Sequence, residues 1–266
     1  MNNIGTQARH ITTSLMLALL LCGSAKAQEE DIQRVPVNGV KNPEMKSYRA
    51  VWKGLDKFDD EHALAPAVPR LRFRVVASKN KGNCIGICGV SSLITPGEHG
   101  QFALRIATND ASVAVPIAED GYFFIPRDEV LYDGNADMIL NQKKGSYKMS
   151  VEVRTPGLPE NVRRLGDLRL ECKVQIAIAK EEVPFWVVAL VNSVLLSRDW
   201  CMASLGKEYA NISYPVPSPL ASATLTYGER SEKLQSGKSS FSVKLGDKSW
   251  PDDALVQLEY APEPKS

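Results

Sequence analysis

The chain has 266 residues, 44% of them hydrophobic, with 32 Lys and Arg against 31 Asp and Glu, a formal net charge of +1. That near-neutral balance, with no block of basic residues, argues against nucleic acid or an anionic membrane surface as the main partner. The apolar share and the length suffice for one large or two small domains with proper cores.

The first 27 residues read as a cleaved secretory signal. Arg9 supplies a basic region, Leu15 to Leu21 an apolar run, and Ala25-Lys26-Ala27 a small-x-small cleavage site. The run is far shorter than the roughly 20 apolar residues a membrane span needs. A lipid anchor on Cys22 is a rival, but Leu21 is bulky where such signals want Gly or Ala. Cleavage after Ala27 removes Arg9 and Lys26 and no acid, so 30 basic residues face 31 acidic ones, and the expected location is periplasmic or secreted.

Residues 28–65 then read as a lead-in followed by a helix. Asn42 is placed to cap it, Pro43 suits its first position, and Tyr48, Val51, Trp52, Leu55 and Phe58 fall on one face. Gly54 in its middle is out of place for a helix former.

From Pro66 the period switches to two. Leu71, Phe73 and Val75 alternate with Arg72 and Arg74; Phe102, Leu104 and Ile106 form a second run, and Tyr147 to Val153 a third. Turn signals at Pro96-Gly97, Glu119-Asp120-Gly121 and Asp133-Gly134-Asn135 separate such runs. Leu168 to Ile176 also alternates strictly, which predicts a strand with Leu170, Cys172 and Val174 on its buried face.

Residues 180–210 carry FWVVALVNSVLL behind Pro184, apolar all round and too short to cross a bilayer. It reads as a buried connecting helix, with a buried strand as the alternative. Strand patterns resume over 211–266. There the chain echoes itself at an offset of 118: Phe123 falls on Phe241, Ile125 on Val243, Tyr132 on Trp250, Ala136 on Ala254, Met138 on Val256 and Leu140 on Leu258. Chance matching of alternating strands is an equal explanation. The expected fold is mainly β: two antiparallel sandwich-like lobes, immunoglobulin-like or transthyretin-like, over 66–179 and 211–266, with one amphipathic and one buried helix.

Four cysteines remain after cleavage. Two disulfides are the ordinary reading in an exported chain, with Cys84 pairing Cys88 inside the glycine-rich NCIGICGV loop and Cys172 pairing Cys201. A redox pair at Cys84 and Cys88 is the rival. A zinc site is not, because His62 and His99 lack paired-ligand spacing. Asp133-Gly134-Asn135-Ala136-Asp137 has Met138 where a calcium loop needs glycine, and Gly237-Lys238-Ser239 lacks the first glycine of a phosphate loop, so both read as hairpin turns. With no catalytic motif, metal set or cofactor fingerprint, the expectation is a non-enzymatic module that binds an envelope protein or cell-wall component. Trp200, Trp250 and Tyr122 are its candidate contact residues. The alternatives are a polysaccharide hydrolase using scattered carboxylates and a thiol-redox protein.

Overall fold

The computed structural model describes residues 40–78, 92–93, 102–205 and 208–262. The expected signal segment, the lead-in up to residue 39, Pro96-Gly97, His99 and the Cys84–Cys88 loop lie outside them. Strand exceeds helix, 37% against 25%, in several antiparallel sheets with four α-helices among the described residues.

The first half runs β1 (Pro43–Ser47), α1 (Tyr48–Asp60), β2 (Arg72–Ala77), β3 (Ser92–Leu93), β4 (Leu104–Ala107), β5 (Ser112–Val115), β6 (Tyr122–Phe123), α2 (Glu129–Asp133), β7 (Asp137–Lys143) and β8 (Tyr147–Glu152). The second runs β9 (Val162–Arg164), α3 (Leu165–Glu182), α4 (Phe185–Leu195), β10 (Ser204–Leu205), β11 (Glu208–Tyr209), β12 (Asn211–Pro215), β13 (Leu220–Tyr227), β14 (Arg230–Lys233), β15 (Gln235–Gly237), β16 (Ser240–Lys244) and β17 (Leu255–Tyr260).

The 118-residue echo is a repeat of topology. One sheet has the order β1-β7-β4-β5 and another the order β9-β17-β13-β14, antiparallel throughout. Adding 118 to the bounds of β5 lands on β14, β7 on β17, and α1 on the body of α3. The junctions match too. Tyr48 opens α1 by donating its backbone N–H to the Ala136 carbonyl at 3.0 Å, and Leu165 opens α3 by donating to that of Ala254 at 2.8 Å. In each half an aromatic pair stacks across neighbouring strands, Phe73 with Phe123 at 5.8 Å and Tyr214 with Phe241 at 5.7 Å. The halves differ in their remaining strands: β3-β2-β6 with β8 beside β2 in the first, β12-β16-β15 in the second.

Two apolar cores result, and α3 lies between them. Leu170, Val174 and Ile178 enter the first; Leu165, Leu168, Cys172 and Ile176 enter the second. This corrects the expected strand at 168–176. At 100° per residue, every second position on a helix turns by 200°, so two opposite apolar faces also give strict alternation. Cys172 therefore lies opposite Leu170 and Val174. Two of the intervening polar residues, Arg169 and Glu171, are buried with partners. Arg169 donates to the carbonyls of Leu245, Asp247 and Trp250 and pairs with Asp252 at 2.6 Å, tying the 245–252 loop to the helix.

The first helix starts at Tyr48, not near Pro43. Residues 43–47 are instead drawn into an edge strand against β7, where Pro43 is tolerated at the start, and the Ser47 side chain takes over the cap by accepting from Ala50 N–H. Tyr48, Val51, Leu55 and Phe58 are buried as the periodicity predicts, with Trp52 half-buried. Asp133-Gly134-Asn135 is not a hairpin turn. Asp128 caps the short helix α2, which ends in this stretch, and Asn135 at φ 52° turns the chain into β7. Gly237-Lys238-Ser239 does turn a hairpin, between β15 and β16.

The apolar segment 185–195 is a helix but not a buried one. Phe185 is 83% exposed, Trp186 61%, Leu190 58% and Val194 63%. It joins α3 to the Cys201 segment outside both cores, so its uniform composition reflects no enclosing neighbour. No helix among the described residues is long and apolar enough to cross a membrane.

Candidate functional site

A cleft of about 840 Å³ opens where the β2–β8 sheet faces β12, β16 and β17. That volume falls within the range of small-molecule sites. Strand alternation builds its polar wall. With Phe73 and Val75 committed to the first core, Arg72 and Arg74 of β2 must face outward. Antiparallel pairing then sets Arg72 opposite Glu152 of β8, and Arg74 opposite Tyr122 of β6.

These four side chains form one network. Arg72 reaches Glu152 at 3.3 Å. Arg74 donates to the Tyr122 hydroxyl at 3.2 Å, and the two guanidinium groups lie 4.2 and 4.7 Å from the Tyr122 ring centre. Burial, followed by the charge of Glu152, pushes the Tyr122 phenol up to about 12. Burial would raise the Glu152 carboxyl as well, but Arg163 and Arg72 outweigh it and hold the group below its ordinary range.

A second cluster closes the floor. Arg163 of β9 donates to Glu171 of α3 at 2.8 Å and to the Val153 carbonyl at 3.1 Å, while Glu171 accepts the Val153 N–H at 3.0 Å. Burial lifts the Glu171 carboxyl above its usual range, against the pull of Arg163. Tyr214, on the opposite wall, donates to the Leu168 carbonyl at 2.6 Å, and its phenol is raised by burial and then by Glu171. Arg154 extends beyond β8 and donates to the Pro159 carbonyl; its proton affinity is lowered by burial and by the positive charge of Arg163.

Of the three contact residues expected from sequence, only Tyr122 lines this cleft. Trp200 is half-buried beneath α4, donating its indole N–H to Asn192 at 2.7 Å under the Lys180 ammonium at 4.6 Å. Trp250 is 2% exposed in the second core, with Arg230 over its ring at 3.7 Å, so its face is covered. Its match with half-buried Tyr132 in the repeat is the signal that places it inside. Cys172 and Cys201 are bonded, each 1% exposed in the second core, and join α3 to the segment after α4. His62 accepts or donates only locally, at 2.7 Å from the Val68 carbonyl.

The residues that reasoning from sequence missed are Arg72, Arg74, Glu152, Arg154, Arg163 and Glu171. Arg72, Arg74, Glu152 and Glu171 stood in the pattern as polar alternates of core positions, whereas Arg154 and Arg163 lay outside the alternating runs. Only Arg72 and Arg74 carried a usable signal, two cations two apart on one outward face. No protein-family model, curated protein or solved structure matches the chain.

Proposed function

We propose that the chain is an exported, non-enzymatic binding module of two sandwich-like lobes, delivered to the periplasm or beyond by residues 1–27. Its ligand is an envelope protein or cell-wall component, one portion of which lies in the cleft between the two cores. The observation that carries this reading is the cleft itself: about 840 Å³, walled by guanidinium groups and aromatic rings whose strand positions are set by both cores. Its polar groups hold one another in place, which suits a preorganised recognition surface. Thermal shift of the purified chain with fractionated envelope components is the test, run beside Ser150→Trp, which fills the cleft from β8. A ligand that stabilises the natural chain and not the variant supports the reading. Stabilisation indifferent to Ser150→Trp sinks it.

One observation favours a second reading, a polysaccharide hydrolase. Glu171 and Glu152 line the same cleft with proton affinities pushed in opposite directions, as in an acid paired with a base or nucleophile. Against it, one Glu171 oxygen is already occupied by Arg163 and the Val153 amide. Cleavage of purified envelope glycan, abolished by Glu152→Gln, would decide for the hydrolase.

A further inference from the structure

We infer that the cleft selects a ligand bearing an oxyanion, a carboxylate or phosphate group, received by Arg74 or Arg154 of its lining. This rests on the cleft being the binding site. Of the four guanidinium groups lining the cleft, Arg163 is paired with Glu171 and Arg72 with Glu152. Among the described residues, Arg74 and Arg154 make no ion pair. A guanidinium has five N–H donors. Arg74 directs one of them to the Tyr122 hydroxyl, and its Nε is buried with no acceptor among the described residues. Arg154 directs one to a single carbonyl, that of Pro159.

Removing a cation from water without a counter-ion costs free energy that an incoming anion recovers. The two remaining acids on the cleft, Asp120 and Glu160, are exposed at its rim, where water and salt screen them. Asp120 is moreover engaged by the Tyr122 backbone N–H at 3.1 Å. The proton affinity of Arg154 is lowered first by burial and then by the charge of Arg163. Guanidinium donors match the two oxygens of a carboxylate or phosphate with paired N–H bonds, which a lysine cannot reproduce.

The test is isothermal titration of the purified protein with inorganic phosphate and, separately, with succinate at low ionic strength. The expected result is binding of at least one anion that Arg74→Gln or Arg154→Gln weakens by about tenfold or more. Lys233→Gln, an equal loss of charge on exposed β14, leaves it unchanged. Binding of phosphate alone identifies a phosphoryl ligand, and of succinate alone a carboxylate. If Arg74→Gln does not fold, Arg74→Lys keeps the charge without the fork and is expected to bind more weakly than the natural chain. Failure of both anions to bind, or equal weakening by Lys233→Gln, overturns the inference. A neutral ligand blocked by Ser150→Trp would then leave the cleft reading standing, whereas no ligand sensitive to Ser150→Trp removes both.

Discussion

Gly54 of α1 lies directly against Ile178 of α3: a Cβ at position 54 would stand 2.6 Å from Ile178 Cγ1 and 3.3 Å from Val174 Cγ1. The glycine that weakens α1 as an isolated helix is what lets the two repeat-related helices approach. Gly54→Ala gains about 1 kcal/mol of helix propensity but overpacks a filled interface, at a typical cost of about 1–3 kcal/mol. The expected outcome is a net loss of stability in urea unfolding. Gly54→Ala combined with Ile178→Ala, which removes both crowding carbons, Cγ1 and Cδ1, should be no less stable than Ile178→Ala alone.

The Cys172–Cys201 bridge closes a separation of 29 residues that includes all of α4. By loop entropy it stabilises the fold by about 3.5 kcal/mol. Replacing both cysteines with alanine should lower the unfolding free energy by that order, and mild reductant should leave the natural bridge closed because both sulfurs are buried in the second core. Peptide mapping after alkylation checks the second part.

Glu171 and Arg163 are both largely buried, so removing one partner strands the other. Arg163→Met should cost about 3–5 kcal/mol, and the double change Arg163→Met with Glu171→Leu less than the sum of the two single changes. A double-mutant cycle in urea measures the difference.

The Tyr122 phenol has a folded pKa raised from 10.0 to about 12. Below pH 10 both folded and unfolded chains carry the proton and the associated stability is fully present. Between pH 10 and about 12 the unfolded chain releases it first, so stability falls as pH rises. Tyr122→Phe should flatten this part of the stability–pH profile, and absorbance at alkaline pH should lose one tyrosine titrating at about 12.

Leu190→Ser in α4 should change stability by no more than about 0.5 kcal/mol, because the side chain is 58% exposed. A core leucine lost to a polar residue would cost several times more. Urea unfolding of this variant thus separates an exposed α4 from a buried one.

Local periodicity carried much of the architecture. The apolar face of α1, the strands around Phe73, Ile106 and Val151, the β15–β16 turn and the 118-residue echo were all legible, because side-chain direction repeats with the backbone. The pairing of Cys172 with Cys201 followed from an inward-facing Cys172 and the nearness of Cys201 in the next segment, and it holds although Cys172 lies on the opposite face of α3 from Leu170 and Val174. What periodicity could not decide was whether alternation from Leu168 to Ile176 meant a strand or a helix between two cores, since both present alternate residues to opposite sides. Nor could composition decide the burial of α4, which depends on whether another element lies over it. The cleft was least legible of all. Arg74, Tyr122, Glu152, Arg163 and Glu171 come from five elements spread over about a hundred residues of chain, and only antiparallel pairing and the helix between the cores bring them together. The sequence by itself determined the period of each segment and hence which side chains share a face; the tertiary structure decided which faces meet, because that depends on long-range packing that no local pattern encodes.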